Sequence, residues 1–242
     1  MAGVNVRAGL LGDAALEASA VVANCAMNRE RQLAGVNSYA RELGFSPLDV
    51  ITAAIAGGKE QAAVTVAWLD VCCGTGRALI QAASQLHQAG LSGCAALTGA
   101  DLVDAFDPVP PRAGNLDLVC APVASWAPAR RFDLITCVHG LHYIGGKLAL
   151  LARAAGWLTG SGLLVADLDL SAIQLEGGPP ARRRFTAWLR ACGLTYDSRR
   201  HQISCTGHRN IHVPYTYLGA DDRAGPGYTG QPAVHSHYAG DH

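Results

Sequence analysis

Net charge is what this chain most plainly lacks: 19 lysines and arginines stand against 19 aspartates and glutamates, and charged residues make up only 16% of it. A balanced chain has no field to draw in nucleic acid or an anionic membrane, so the expected partner is a small molecule, with no nucleic acid and no membrane. Long apolar runs are missing too. No stretch reaches the roughly eighteen unbroken apolar residues that a membrane span needs. The opening "MAGVNVRAGLLGDAALEASA" carries acids where the apolar segment of a signal peptide would stand, which predicts a cytoplasmic protein. There is no C-x-x-C pair to open a zinc site. Of the eight cysteines, Cys72 and Cys73 are adjacent, while Cys94, Cys120 and Cys137 lie in or beside apolar runs. These spacings predict buried, reduced thiols and not a disulfide framework. No internal repeat is visible.

What is there suits one α/β domain with a sizeable core and a small cap: 242 residues, half of them apolar. Residues 1–60 read as a helical lead-in, and residues 61–242 as the main domain. The lead-in opens on a helix expected from about Ala14 to Gln32. A second helix is signalled by Ser46-Pro47-Leu48-Asp49, with serine as cap and proline in the first turn, and it is stopped at Gly57-Gly58. From Val64 the texture changes to apolar runs alternating with helical patterns, the mark of βαβ units and a parallel sheet covered on both faces. Strands are predicted near 64–71, 95–101, 116–121, 132–138 and 162–168, and helices near 77–89, 146–157 and 181–192. "FDPVPPRAGN" cannot be a helix interior and makes one crossover loop-like. After Cys192, two extended segments around a turn at Gly207 predict an antiparallel pair at the sheet edge. The Gly-, His- and Tyr-rich end shows no period. In it "YLGADDRAGPGYTGQPAV" suggests a shaped loop folding back near a substrate mouth. "HSHYAGDH" at the terminus has no helix to fix its histidines, so no metal site is expected.

In open parallel sheets ligands bind beyond the carboxyl ends of the strands. The first strand delivers "DVCCGTG" there: Gly74 and Gly76 remove side chains where backbone must approach a ligand, and the helix from Arg77 aims its positive end at the same place. A dinucleotide turn wants glycine where Leu79 stands, which counts against a nicotinamide-dependent oxidoreductase. The second strand ends in "LTGADL", with Asp101 twenty-five residues after Gly76, where such folds place an acid on ribose hydroxyls. The fourth strand runs into "FDLITCVHGLHYIGG", with His139 at its tip and His142 and Tyr143 in the next turn. Histidine, with an unperturbed pKa of about 6.5, suits a proton acceptor at neutral pH; a strut that orders the loop is the competing role.

"LDVCCGTG" resembles the first motif of class I S-adenosylmethionine-dependent methyltransferases, with Cys72 in place of the earliest glycine, and the later motifs extend the resemblance over about Val64 to Leu170. The resemblance implies a doubly wound, mostly parallel Rossmann-like sheet with an antiparallel C-terminal edge and an N-terminal helical lid. It implies S-adenosyl-L-methionine as cofactor and methyl transfer to an O or N nucleophile of a small molecule such as a secondary metabolite. The cofactor site it implies draws on Asp70, Cys72, Gly74, Gly76 and Asp101, on Tyr39 from the lead-in, and on His139. Family members often place an acid after the third strand to meet the adenine. Here "CAPVASW" leaves backbone at Val123 and Ala124, with Ser125 or Trp126 beside the ring. The catalytic candidates are His139 and His142. Arg29, Arg31, Tyr39 and Arg41, grouped around Gly35, form the candidate lid, on a monomer or homodimer. Cyclisation or rearrangement on the same fold, or a non-catalytic cofactor-binding module, are the competing functions.

Overall fold

The computed structural model describes residues 7–19, 21, 30–58 and 65–240. In chain order its strands are β1 (Val66–Val71), β2 (Ala95–Asp101), β3 (Leu116–Cys120), β4 (Phe132–Cys137), β5 (Leu158–Asp167), β6 (Ile173–Leu175), β7 (Thr195–Asp197), β8 (Gln202–Thr206), β9 (Tyr215–Asp221) and β10 (His235–Gly240). Seven of them form the main sheet, in the order β3-β2-β1-β4-β5-β8-β7. The first five are parallel, and β8 runs antiparallel to both β5 and β7. Every residue of β1 is buried, as a central strand covered on both faces requires. Chain order reverses between β1 and β4, so the crevice beyond their carboxyl ends is the switch point where such sheets hold ligands.

Six α-helices are described in chain order: α1 (Asp13–Glu17), α2 (Tyr39–Leu43), α3 (Pro47–Gly57), α4 (Arg77–Gln88), α5 (Lys147–Gly156) and α6 (Gly178–Ala191). The Ser46 hydroxyl accepts the Asp49 N–H at 3.2 Å and fixes the start of α3. On α4, Ala78, Leu79, Ala82, Ala83 and Leu86 form the buried stripe. A Cβ on Gly99 of β2 would stand 2.7 Å from Leu79 Cδ1. The glycine that dinucleotide folds place on the helix is here on the strand, and leucine fills the gap.

Several elements depart from the expectation. The opening helix does not run to Gln32: α1 ends at Glu17, and Gln32 pairs in extended conformation with Ser38, where Gly35 turns the chain at φ +109°. Residues 20 and 22–29, Arg29 among them, lie outside the described residues, as does Val64. β5 starts at Leu158, earlier than expected, through a register shift between Phe132 and Leu134. Gly160 and Gly162 disguise that stretch as a turn. The edge pair forms between β7 and β8, so its hairpin precedes β8 and Gly207 follows it. The chain beyond Gly207 instead builds a second sheet with β6, in the order β6-β10-β9. Of the histidine-rich end, residues His235–Gly240 are thus strand, with Ser236 and Tyr238 buried on one face of β10.

Candidate functional site

The carboxyl edge of the main sheet carries in spatial order Asp101 (β2), the Cys72–Gly76 turn (β1), His139 (β4), Asp167 (β5) and His201, which precedes the antiparallel β8. Three non-glycine residues have positive φ among those described: Cys72 at 60°, His139 at 58° and His201 at 51°. All three lie on this edge, and such strained backbone gathers where function over-determines it.

The first half of the edge is a cradle. Gly74 and Gly76 take φ of 61° and 73°, which side chains rarely adopt. Gly76 caps α4 with no side chain of its own, so the first N–H groups of that helix face outward without a side-chain cap. Asp101 Oδ2 accepts the Gly74 N–H at 2.9 Å and Oδ1 accepts the Val103 N–H at 3.1 Å, which sets this carboxylate beside whatever covers the turn. Cys72 holds the left-handed conformation in the place of a glycine. The space it fills is matched at Gly140, where a Cβ would stand 2.8 Å from both Cys72 Sγ and Cys137 Sγ. A hydrogen bond to Cys137 and burial push the Cys72 thiol well up, so it stays protonated.

Asp70 does not lie open in the cradle. It is 1% exposed, accepts the Tyr39 hydroxyl and the Thr136 hydroxyl, both at 2.6 Å, and thereby ties β1 to α2 and β4. Burial raises its carboxyl to about 7, and Trp68 Nε1 completes the knot through Thr136 at 2.9 Å. Beyond β3 the carbonyls of Val123 and Ala124 accept the Arg153 guanidinium, and the Ser125 hydroxyl turns back to Pro122 O at 3.3 Å. Trp126 packs edge-on against Trp157, 5.9 Å between ring centres.

The second half of the edge holds His139 and His142, each 3% exposed. His139 and His142 stack at 5.4 Å, and Tyr228 from the C-terminal loop lies 6.3 Å and 5.3 Å from them. Burial, then the nearby His139, takes the His142 ring down to about 3, so it stays neutral and weakly basic. The His139 backbone N–H donates to Asp167 Oδ2 at 3.1 Å, and its Nε2 lies 3.2 Å from Glu42 Oε2. Glu42 is held down to about 2, first by its bond to His139 and then by the Arg31 charge, whose Nη1 is 2.7 Å away. An ionised carboxylate only accepts, so His139 Nε2 carries a hydrogen toward Glu42. The ring's Nδ1 is buried and has no partner among the described residues.

Of the proposed lid, Arg31 and Tyr39 face inward, while Arg41 is exposed and bonds Val36 O at 3.3 Å. Sequence reasoning missed Glu42, Asp167 and Tyr228. Glu42 lies three residues after Tyr39, one helical turn along the same face. Asp167 closes the apolar run "LLVAD" just as Asp70 and Asp101 close theirs. Among the described residues no group of three or more His, Cys, Asp or Glu is arranged to hold a metal ion, and no helix is long and apolar enough to cross a membrane.

A seven-stranded, mostly parallel sheet with a glycine cradle at its switch point defines the Rossmann-like methyltransferase fold. The chain belongs to the family described as "Methyltransferase domain", whose model matches residues 37–216. The plantazolicin methyltransferase BpumL in complex with SAH is 18% identical over 64% of this chain and 53% of its own, with a TM-score of 0.37. StiE O-MT residues 961–1257 are 20% identical over 48% and 42%, with a TM-score of 0.37. Coclaurine N-methyltransferase bound to N-methylheliamine and SAH is 14% identical over 57% and 39%, with a TM-score of 0.36. The chain spans about half the length of the BpumL structures it matches. No curated protein matches it.

Proposed function

We propose that the protein is an S-adenosylmethionine-dependent methyltransferase acting on an oxygen or nitrogen nucleophile of a small molecule in the cytosol. The observation that carries this reading is the adjacency, along one sheet edge, of the Gly74–Gly76 cradle with Asp101 and the Glu42–His139 pair. The family match over residues 37–216 supports the reaction class. The seven described cysteines, all free, support a reducing compartment.

The cofactor supplies an electrophilic methyl group on a sulfonium. Its residues are expected to be Gly74 and Gly76 under the methionine portion and Asp101 at the ribose hydroxyls. The Asp70–Tyr39–Thr136 knot holds the turn in shape. His139 takes the proton of the acceptor at Nδ1, because Glu42 fixes the hydrogen on Nε2 and Asp167 fixes the backbone. Residues 1–60 act as the lid, bringing Tyr39 and Glu42 onto the edge.

The test is the mass of small-molecule products formed with S-adenosylmethionine by wild type and by His139→Gln. A gain of one methyl, cut on the order of 10² to 10⁴-fold in the variant, is the expected result. One observation favours a second reading, a cofactor-binding module without turnover: both histidines are 3% exposed. Cofactor binding with no methylated product from any acceptor would select it.

A further inference from the structure

A cleft of about 570 Å³ that shares no residue with the glycine cradle or the histidine pair lies between all three residues of β6 and the first turns of α6, at Gly178, Arg182, Arg183 and Thr186. Its volume is that of a ligand site. A Cβ on Gly178 would meet nothing within 4 Å, so the cleft is open there.

The strand wall of the cleft is a sheet edge. β6 pairs with β10 alone, and side chains along a strand alternate between its faces, so a cleft touched by Ile173, Gln174 and Leu175 in succession follows the unpaired side of the strand. The Glu176 N–H donates to Tyr238 O at 3.0 Å, in the register that sets Leu175 opposite Tyr238. Alternate residues of a strand bond the same neighbour, so the Leu175 N–H points away from β10, to the open side. The edge is firmly held. Lys147, buried at the start of α5, donates from Nζ to Val234 O and Ser236 Oγ, both at 2.8 Å, and to Ile144 O at 2.7 Å, which anchors β10 beside β6.

The helix wall is cationic. Arg182 and Arg183 have no ion-pair partner among the described residues, and no acid lines the cleft. Arg182 is steadied by one bond, from Nη2 to Leu170 O at 2.9 Å, which leaves further guanidinium donors for a ligand. Glu176, the next residue after β6, is turned to Arg7 Nη1 at 2.6 Å.

We infer that this cleft binds an extended peptide segment bearing carboxylates, which adds to β6 as a further strand. The peptide main chain accepts the Leu175 N–H, and an acidic side chain meets Arg182 and Arg183 across the cleft. A free strand edge supplies the main-chain bonds of such a site, and the charge on the facing wall selects the sequence. The inference goes beyond the methyltransferase reading and does not depend on it.

The experiment titrates the full chain with acetyl-Val-Glu-Val-Glu-amide and follows backbone amides by NMR. Three further probes stand beside it: the same peptide with glutamine for glutamate, the acidic peptide N-methylated along its backbone, and N-acetylglutamate. The acidic peptide is expected to bind about fivefold more tightly than each of the three, with the Leu175 amide among the largest shifts. Arg183 is exposed, so Arg183→Gln is expected to melt as wild type does and to lose most of the preference for the acidic peptide over the glutamine one. Equal binding of the acidic and glutamine peptides, or a preference untouched by Arg183→Gln, overturns the inference. An N-methylated peptide that binds as well as its parent overturns it too, since no strand is then added. N-acetylglutamate binding as tightly as the peptide reduces the cleft to a small-anion site, and no binding of any probe leaves no site at all; both results contradict the proposal.

Discussion

Asp70 is a buried carboxyl on which β1, β4 and α2 meet, and its acidity follows from that position. Burial raises it from 3.8 to about 7, so between about pH 4 and 7 the folded protein keeps a proton that the unfolded chain releases. Stability therefore falls as pH rises through that window. Asp70→Asn removes the titration, and its thermal midpoint is expected to vary much less over that range than that of wild type. Equal slopes in the two proteins contradict the assignment. Glu42 has the opposite sign, since its carboxyl is held down to about 2. Its contribution is present above about pH 4.5 and is lost in acid as pH falls toward 2. Glu42→Gln leaves the His139 ring without a charged acceptor at Nε2, so either nitrogen can carry the hydrogen. Turnover is expected to fall about tenfold or more, with cofactor affinity unchanged. A variant as active as wild type removes Glu42 from the positioning role.

At the scale of elements, the chain divides into parts that announce themselves and parts that do not. The strand–turn–helix of "VAWLDVCCGTGRALI" was legible because a fully apolar run, two glycines and an amphipathic helix each carry a local signal. The start of α3 was legible for the same reason, in Ser46 and Pro47. The second sheet was not, because β10 pairs with β6 some sixty residues away, and no local pattern encodes such a partner. Glu42 was hidden likewise, since its partner His139 is ninety-seven residues distant. Lys147 is the anchor of that second sheet, and burial lowers its amine to about 7. Lys147→Met leaves Ile144 O, Val234 O and Ser236 Oγ without their donor, at a cost on the order of 3 kcal/mol. Amide exchange is expected to quicken in 215–240 while β1 and β4 keep their protection. Uniform exchange throughout the chain contradicts this division.

Over the whole molecule, the described part of the lead-in belongs to the core. Leu33, Tyr39, Leu43, Ile51 and Ile55 are buried with Trp68 and Leu134 against the face of the main sheet. Deleting residues 1–45 removes three of these and strips Asp70 of its Tyr39 partner. The truncated chain is expected to melt several degrees lower or fail to fold; a wild-type midpoint contradicts that packing. The central claim is that the cradle of Gly74, Gly76 and Asp101 holds S-adenosylmethionine, and titration calorimetry of wild type and Asp101→Ala with S-adenosylhomocysteine and NAD tests it most directly. The account predicts binding of S-adenosylhomocysteine, weakened by about 1–3 kcal/mol in Asp101→Ala, and no comparable binding of NAD. Tight NAD binding with no heat from S-adenosylhomocysteine would contradict it.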